Sequence, residues 1–472
     1  MTGAINRRQF LAEAALLGGA TMMGGSVSRA KGKQDKAPLP RPKFYWGVGI
    51  ENCWIAQTDP VKDGKRRLLD VFLQMGHYEK WKSDLDLAAE VGFNAIRYSV
   101  PWYKAEPKPG VYDWSWIDQP VEYLVNKLKI IPIMDLIHYG TPTWMAEGVI
   151  DDRFPEAIGK YAGAMAAHFK GLVNHYSPHN EPGLTCLFCG LTGRWPPYHQ
   201  KIESWVKLGV RVAKGMVLEA QAIREAISDA VIVSVDPWFV GAISDYLPAS
   251  AKGEGPQAKD MQPAAAVYPA SLAYGKLGPK HPFTDFLTSH GARAEESAWF
   301  QKHATLPDIL GFNYYPDIFN FAKEGDYTRK GTVPLEQAAR EAAGYVKQGL
   351  KTAQAYFKLP VYLTETSAGL EDPAKVAYIR ALYDMVQELR QEKFPIVGIN
   401  WWPLFNTIQW DYREKYDQPL VDFINAGGWN NGLYVIQPQP DGNLKRVKTP
   451  AADTYRDIIQ RDLGTRKGGN KS

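Results

Sequence analysis

Eight short apolar segments recur along this chain, and the stretches between them have helical spacing. The segments occupy residues 44–50, 93–100, 130–138, 173–180, 230–236, 308–315, 360–366 and 395–402. In one intervening stretch, from Ile158 to Phe169, apolar residues fall at i, i+3, i+4, i+7 and i+11, as on one face of a helix. Eight successive strand–helix units predict an α/β fold, a (β/α)8 barrel formed as a single domain with long βα loops.

An open, doubly wound sheet is the main alternative for such an alternation of strands and helices. Nucleotide-binding sheets of that kind carry a glycine-rich turn after an early strand, and no G-x-G-x-x-G or P-loop pattern occurs there in this chain. Length does not separate the two folds, because a barrel with long loops also reaches 472 residues. The formal net charge of +4 is spread without a basic block, so we expect no nucleic-acid partner.

The first thirty residues have the composition of an export signal. Arg7 and Arg8 precede a weakly apolar run rich in glycine and alanine, and residues 28–30 form a small-x-small cleavage pattern. We therefore predict export to the periplasm or the medium, with no stable membrane span after cleavage; an uncleaved anchor is the alternative. The predicted organisation is a twin-arginine signal peptide at 1–30, a linker at 31–42, the barrel domain at 43–462 and a disordered tail at 463–472.

The chain has three cysteines, Cys53, Cys186 and Cys189, of which the last two form a C-x-x-C pair. One such pair is too few for a structural zinc site, and no cluster of histidine and aspartate has ligand spacing. We therefore predict neither a metal nor a cofactor. In an oxidising compartment the pair can form a disulfide, and the packing of two small side chains in a loop is the other interpretation.

Polar side chains gather where the predicted strands end, which is where barrels of this type carry their chemistry. They are Glu51, Asn52, Arg97, Asp135, His138, Asn180, Glu181, Asp236, Asn313, Tyr315, Glu365 and Trp402. A single carboxylate at a strand end is often a helix cap. Glutamates at the ends of strands four and seven, across the barrel mouth from each other, indicate a catalytic pair instead. The two aspartates fit structural or loop-capping roles better.

Two carboxyl groups flanking a pocket can hydrolyse a glycosidic bond if one is protonated and the other is ionised. The protonated group delivers a proton to the leaving oxygen, and the ionised group attacks the anomeric carbon or activates water. A neighbouring cation and a hydrogen-bond donor favour the ionised form. Because Arg97 and Tyr315 end strands on the same side as Glu365, we predict that Glu365 is the nucleophile.

The motifs around these residues resemble those of the family 1 glycoside hydrolases. "PHNEP" at 178–182 is similar to that family's T-F-N-E-P motif, and "YLTETSAG" at 362–369 is similar to its I-T-E-N-G motif. Five further stretches look like its other landmarks in the same order: "FYWGVG", "GFNAIRYSVPW", "IHYGTPTWM", "GFNYYP" and "WWPLFNTIQW". The resemblance runs from about Phe44 to Trp410, and it rests on the order of the motifs.

The resemblance implies a retaining β-glycosidase, with Glu181 as the acid/base and Glu365 as the nucleophile. It also implies which residues surround the nucleophile, namely Arg97, Asn313 and Tyr315. The sugar contacts that it implies are His138, Asn180 on the 2-hydroxyl, and Trp402 beneath the cleaved sugar. From the residues alone, His138 can also be a core histidine, and Trp402 can simply fill the barrel mouth.

The sequence departs from the family pattern where sugar specificity is expected. Trp54 stands where the family has a glutamine that binds the outer hydroxyls of the sugar, and Gln409 replaces a glutamate before Trp410. Losing a charge-assisted hydrogen bond weakens recognition by roughly 1.5–3 kcal/mol unless another group replaces it. We count Trp54, Gln409, Trp410 and Glu51 among the candidate substrate-binding residues, since Glu51 lies in the same loop as Trp54.

The sequence thus predicts an exported retaining β-glycosidase that removes a terminal β-linked sugar of gluco or related configuration from oligosaccharides or glycosides. A carbohydrate-binding pseudoenzyme is the alternative from another class, because the two recognition positions are altered. A transglycosidase that uses the same covalent intermediate is a third reading. The oligomeric state, the sugar and the linkage are not determined by the sequence.

Overall fold

Parallel strands form the central sheet of the structure, a computed structural model that describes residues 37–51, 54–56, 68–145, 147–237, 261, 263–315, 333–368, 371–406 and 430–468. In chain order the described strands are β1 (Tyr45–Ile50), β2 (Trp54–Ala56), β3 (Leu68–Asp70), β4 (Ala95–Ser99), β5 (Ile131–Asp135), β6 (His175–Ser177), β7 (Val231–Ile232), β8 (Asp236–Pro237), β9 (Leu310–Asn313), β10 (Val361–Thr366), β11 (Ile396–Trp401), β12 (Tyr434–Pro438) and β13 (Leu444–Lys448). The order in the main sheet is β7-β6-β5-β4-β1-β11-β10-β9-β8, and the pairs β2–β3 and β12–β13 are separate.

Residues 231–237 join the two edges of the main sheet into a closed barrel. β7 pairs with β6 on one side, and β8 pairs with β9 on the other. Between these two short strands, Val233 bridges to Ile309 and Val235 bridges to Asn180. The predicted fifth strand is therefore one irregular strand with a neighbour on each side. Each of the eight predicted runs supplies one strand of the barrel, so the predicted fold is confirmed.

Helices cover the outside of the barrel. In chain order they are α1 (Val71–Gln74), α2 (His77–Val91), α3 (Trp102–Ala105), α4 (Ser115–Glu122), α5 (Phe154–His168), α6 (Pro182–Cys186), α7 (Ile202–Ala226), α8 (Ala270–Ala273), α9 (Pro282–Ser289), α10 (Ala294–His303), α11 (Leu335–Phe357), α12 (Asp372–Gln391) and α13 (Pro450–Gly468). π-Helical turns at Tyr123–Leu128 and Leu187–Leu191 extend α4 and α6, and a 3-10 turn spans Gly148–Ile150. None of the helices in the described ranges has both the length and the hydropathy of a transmembrane segment.

The inside of the barrel changes from apolar to polar along the strands. An apolar layer fills the end where the strands begin; its members are Tyr45, Ala95, Ile131, Ile133, Val231, Val233, Ile309 and Tyr362. On β4, Arg97 follows Ala95 by two positions and so faces the same interior. Arg97 is completely buried. A guanidinium in this position needs acidic partners, and the polar layer above the apolar one provides them.

The C-terminal helix corrects one predicted boundary. α13 continues to Gly468, so residues 463–468 are helical where a disordered tail from 463 was predicted. Asp462 explains why the helix persists, because its buried carboxylate accepts hydrogen bonds from Trp46 at 3.1 Å and from Arg390 at 2.6 Å. The polar composition of the tail does not reveal this anchor. The predicted signal peptide, 1–30, and most of the linker lie outside the described residues.

Candidate active site

Glu365 reaches the interior of the barrel through an irregularity in β10. Tyr362 belongs to the inner layer, and the Thr364 hydroxyl donates to Asn313 Oδ1 at 2.7 Å, so strict alternation along the strand turns Glu365 outward. The register between β10 and β9 shifts between Leu363 and Glu365. A bulge of this kind re-aims a side chain. It places the Glu365 carboxyl beside the polar residues that end the neighbouring strands.

Two donors hold the Glu365 carboxyl. Arg97 Nη1 donates to Oε1 at 2.5 Å, and the Tyr315 hydroxyl donates to Oε2 at 2.7 Å. Burial, and after it the charge of Glu365, hold the pKa of Tyr315 well above its ordinary value, so this hydroxyl stays a donor. A carboxyl with a guanidinium on one oxygen and a phenol on the other is best satisfied as an anion. The sequence predicted both contacts.

Glu181 has an uncommon backbone conformation for a residue with a side chain. Its φ of 41° and ψ of 60° lie in the left-handed region, at the N-cap of α6. Its N–H donates to the Val235 carbonyl at 2.8 Å, which ties it to the irregular fifth strand. Pro182 then begins α6 with a φ that suits a first helical turn. Local strain of this kind is concentrated at functional sites, where surrounding contacts hold it in place.

The Glu181 carboxyl has a different set of partners from Glu365. The Tyr139 hydroxyl donates to Oε2, and Asn313 Nδ2 donates to Oε1 at 3.0 Å. Both donors are neutral. Asn313 lies beside the nucleophile as predicted, because it pairs with Glu365 between β9 and β10. Its amide also contacts Glu181, since Thr364 engages its carbonyl oxygen and orients the amide. The role of Tyr139 was not foreseen, and its position directly after His138 was the only signal.

Burial raises the pKa of Glu181 to about 8, and the charge of Glu365 contributes to the same direction. The pKa of Glu181 is lowered by the hydrogen bonds from Tyr139 and Asn313 and by the charge of the more distant Arg97, but these contributions are smaller. Glu181 therefore keeps its proton at neutral pH. The site contains one carboxyl that is held as an anion and one that is held as an acid, which is the division of labour that glycoside hydrolysis requires.

Arg97 connects the strands around the site. Its Nη2 donates to Asn180 Oδ1 at 2.9 Å and lies 3.8 Å from Asp135 Oδ1, while Nη1 lies 3.3 Å from Glu51 Oε1. Burial works against the guanidinium charge, but Glu51, Glu365 and Asp135 together raise the pKa of Arg97 above its ordinary value. One cation thus links the ends of β1, β4, β5 and β10 and the residue before Glu181.

Asp135 orients the histidine predicted to bind sugar. Its Oδ2 contacts His138 Nδ1 at 2.8 Å and accepts from the Ser99 hydroxyl at 2.8 Å. Burial alone raises the pKa of Asp135, but His138, Arg97 and Ser99 outweigh it and hold the value below the ordinary one. His138 Nε2 lies 3.4 Å from Asn180 Nδ2. The predicted sugar contacts His138 and Asn180 are therefore adjacent, and Asp135 has the structural role expected of it.

The remaining predicted substrate-binding residues fall into three groups. Trp402 is buried at the end of β11, with its ring edge-on to Tyr315 at a centroid distance of 6.0 Å. Glu51 ends β1, but its side chain is completely inaccessible, so the direct contact with sugar predicted from the sequence does not fit this position. Trp54 lies in β2, and its side chain lies outside the described residues. Gln409 and Trp410 lie outside them entirely.

The C-x-x-C pair is reduced in this structure. Cys186 and Cys189 are both buried thiols that are not joined in a disulfide, on the segment that follows Glu181. Burial raises the pKa of the Cys186 thiol well above its ordinary value, so the thiol is unreactive. Cys53 lies outside the described residues. Within the described ranges, no group of histidine, cysteine, aspartate and glutamate side chains has the arrangement of a metal site.

A (β/α)8 barrel with an acid at the end of strand four and an anchored anion at the end of strand seven is the architecture of a glycosidase. The chain belongs to the family described as Glycosyl hydrolase family 1, whose model matches residues 57–461. The family predicted from the motifs is therefore confirmed. The protein is an O-glycosyl hydrolase of the β-glucosidase-like kind.

Relatives of known function share the full length of the barrel with this chain at low identity. A 1,4-β-D-glucan glucohydrolase of Thermotoga neapolitana is 21% identical over 446 residues, with 83% of this chain and 98% of the relative covered. An aryl-phospho-β-D-glucosidase of Bacillus subtilis is 20% identical over 491 residues, with 90% and 98% covered. A family 1 β-glucosidase from Thermotoga maritima superimposes with a TM-score of 0.64 at 18% identity, over 90% of this chain and 99% of that one. The structural likeness establishes the same fold.

Proposed function

We propose that this protein is an exported, retaining β-glycosidase that releases a terminal, neutral, gluco-type sugar from oligosaccharides or glycosides by double displacement. The observation that carries the proposal is the contrast between the two glutamates. Glu365 is held by Arg97 and Tyr315, and Glu181, among neutral donors, has a pKa of about 8. One group is ready to attack, and the other is ready to donate a proton.

The first half-reaction uses both groups at once. A carboxylate oxygen of Glu365 bonds to the anomeric carbon while the bond from that carbon to the leaving oxygen breaks, and Glu181 transfers its proton to that oxygen. Once Glu365 is esterified its charge is gone, so one cause of the raised pKa of Glu181 disappears. Glu181 then acts as a base: it takes a proton from water as the water oxygen bonds to the anomeric carbon and the ester breaks. Two inversions leave the β-configuration.

The sugar contacts follow from the position of the adjacent polar groups. Arg97 already occupies Asn180 Oδ1, which leaves the Nδ2 group to donate to the sugar 2-hydroxyl beside the reacting carbon. Asp135 fixes the ring orientation of His138, so its Nε2 is directed to the same pocket. The flat face of Trp402 suits the apolar face of a sugar ring.

A neutral sugar fits the described charges better than a phosphorylated one. The relatives include both a glucan glucohydrolase and an aryl-phospho-β-glucosidase. In the described part of the site, the carboxylates of Asp135 and Glu365 flank the one guanidinium of Arg97. A phosphate there meets more acidic than basic groups, and repulsion between like charges disfavours its binding. Export through the segment 1–30 also supports a substrate met outside the cytoplasm.

The stereochemistry of the first product tests the proposal. Proton NMR during hydrolysis of an aryl β-glucoside by the mature chain should show the β-anomer appearing first and the α-anomer only as mutarotation proceeds. Initial formation of the α-anomer would contradict double displacement. Calorimetric binding of the sugar without any release of the aryl group would favour the carbohydrate-binding pseudoenzyme. Transfer of the sugar to an added alcohol, in preference to water, would favour the transglycosidase.

A further inference from the structure

A third carboxyl lies against the nucleophile, inside the barrel. Gly47, Gly49 and Glu51 alternate along β1 and so share its inner face. An added Cβ at Gly49 would lie 2.2 Å from Glu51 Oε2, so only glycine leaves room for this carboxyl. The Glu51 side chain is completely inaccessible, whereas that of Glu365 is 4% exposed. Glu51 thus lies behind the site rather than in contact with its contents.

Glu51 and Glu365 share one nitrogen of Arg97. Nη1 lies 2.5 Å from Glu365 Oε1 and 3.3 Å from Glu51 Oε1. Glu365 has a second donor, the Tyr315 hydroxyl at 2.7 Å. Neither oxygen of Glu51 accepts a well-aligned hydrogen bond in the described part of the chain. Nη1 therefore donates a short hydrogen bond to Glu365 and has only a longer, poorly aligned contact with Glu51.

This asymmetry decides which carboxyl carries a proton. Two carboxyls that share one cation in a dry interior do not both ionise, and the better solvated one keeps the charge. Glu365 has the shorter contact and the additional donor. Burial raises the pKa of Glu51 well above its ordinary value, while Arg97 and Trp402 lower it and Glu365 and Asp135 raise it further. Among the described residues, Tyr315 and Tyr362 also interact with it.

We propose that Glu51 is a positioning residue for the nucleophile: a neutral carboxyl that packs against Arg97 Nη1 and leaves the guanidinium charge to Glu365. The inference rests on the proposed function, in which Glu365 is the nucleophile. A neutral partner holds the guanidinium plane in place, whereas an ionised one draws Arg97 away from Glu365. The sequence predicted contact with the sugar for this residue, and the structure replaces that contact with an indirect role.

Two substitutions separate the shape of Glu51 from its charge. Glu51→Gln keeps the shape and is neutral at every pH, so kcat for an aryl β-glucoside should stay within about threefold of wild type. Glu51→Ala removes the group that packs against Arg97 Nη1 and leaves a cavity behind the guanidinium, so kcat should fall on the order of 10- to 100-fold with a smaller change in KM. Wild-type kcat in Glu51→Ala, or an equal loss in both variants, would overturn the proposal.

The stability of the fold provides a readout that does not depend on turnover. A carboxyl whose folded pKa exceeds its unfolded value of 4.5 stabilises the fold below that pH, and this stability is lost as the pH rises toward the folded pKa. Glu51→Gln has no ionisable carboxyl at this position, so it does not lose that stability as the pH rises. Its free energy of unfolding should therefore exceed that of wild type by an amount that grows from pH 4.5 upward. If Glu51→Gln is instead less stable at neutral pH and the difference vanishes in acid, Glu51 is an ionised partner of Arg97 and the proposal is wrong.

Asp462→Asn is the matched control. Asp462 is a buried carboxyl that contacts Trp46, near the opposite end of β1, and pairs with Arg390 at 2.6 Å. Its replacement should lower stability at neutral pH and leave kcat per folded molecule unchanged. If wild type releases no aryl group at all, the proposed function fails, and the pH dependence of stability still decides the state of Glu51.

Discussion

The ends of strands four and seven carry the same amino acid in opposite electrostatic environments. Glu365, on strand seven, lies between the Arg97 cation and the Tyr315 hydroxyl. Glu181, after strand four, accepts from Tyr139 and Asn313, both neutral, and burial raises its pKa to about 8. Residue type therefore does not decide the role of either carboxyl. The hydrogen-bond donors around each carboxyl decide its role. The charge of Glu365 also helps to keep the proton on Glu181.

The two regions also differ in the way the backbone presents the side chain. A register shift in β10 turns the Glu365 side chain inward. Glu181 lies after strand four, where its backbone adopts a left-handed conformation at the N-cap of α6. A bulge within a paired strand is held by its neighbours on both sides. Glu181 is held by the hydrogen bond from its N–H to Val235, and its carbonyl accepts from Leu184 and Thr185 in the first turn of α6.

Removal of the nucleophile has the largest expected effect. Glu365→Ala should lower kcat for an activated aryl β-glucoside by roughly 10⁴-fold or more, because the substitution removes the carboxylate that forms the covalent intermediate. Azide should restore part of the activity by occupying the space of the carboxylate. Full activity in this variant would assign the chemistry to another residue.

Removal of the acid should have an effect that depends on the leaving group. Glu181→Ala should reduce kcat/KM on the order of 10²- to 10⁴-fold for a poor leaving group that needs a proton. With a dinitrophenyl leaving group the first step needs no proton, and its rate should fall much less. Equal losses for both leaving groups, measured in parallel, would mean that Glu181 is not the proton donor.

The smallest of these effects is expected at Tyr139. Its hydroxyl donates to the charged form of Glu181 and lowers the pKa of that carboxyl. Tyr139→Phe should therefore raise the pKa and move the alkaline limb of kcat/KM to higher pH, with less than about a tenfold change at the optimum. Tyr161→Phe is the control, because the Tyr161 hydroxyl contacts the Val100 carbonyl instead. An unchanged alkaline limb in Tyr139→Phe would mean that Tyr139 does not influence the pKa of Glu181.

The fold could be predicted because parallel strands buried on both faces appear as continuous apolar runs. The same reasoning placed Tyr315 and Glu365 together at the ends of neighbouring strands, and it placed Arg97 at the same mouth of the barrel, from which it reaches Glu365. The split of the fifth strand into β7 and β8 was not visible, because the run at 230–236 has no turn residue and is apolar apart from Ser234 and the final Asp236.

The local contacts that give the two glutamates different roles could not be predicted from the sequence. Alternation along β10 contains no sign of a register shift, so the inward turn of Glu365 is a tertiary feature. The contact of the Asn313 amide with Glu181 was not predicted, because the amide direction is set by Thr364 across a strand boundary. Glu51 was expected to meet the sugar, since a sequence does not show on which side of Arg97 a carboxyl lies.

Direct titration of the Glu181 carboxyl is the most direct test of the central claim that environment divides the two roles. Its ¹³C resonance, assigned by comparison with Glu181→Gln, can be followed against pH in wild type and in Glu365→Gln. The pKa of Glu181 should be about 8 in wild type, and it should fall in Glu365→Gln but remain above 4.5, because burial is the larger cause. A wild-type value near 4.5, or the same value in both proteins, would contradict the account.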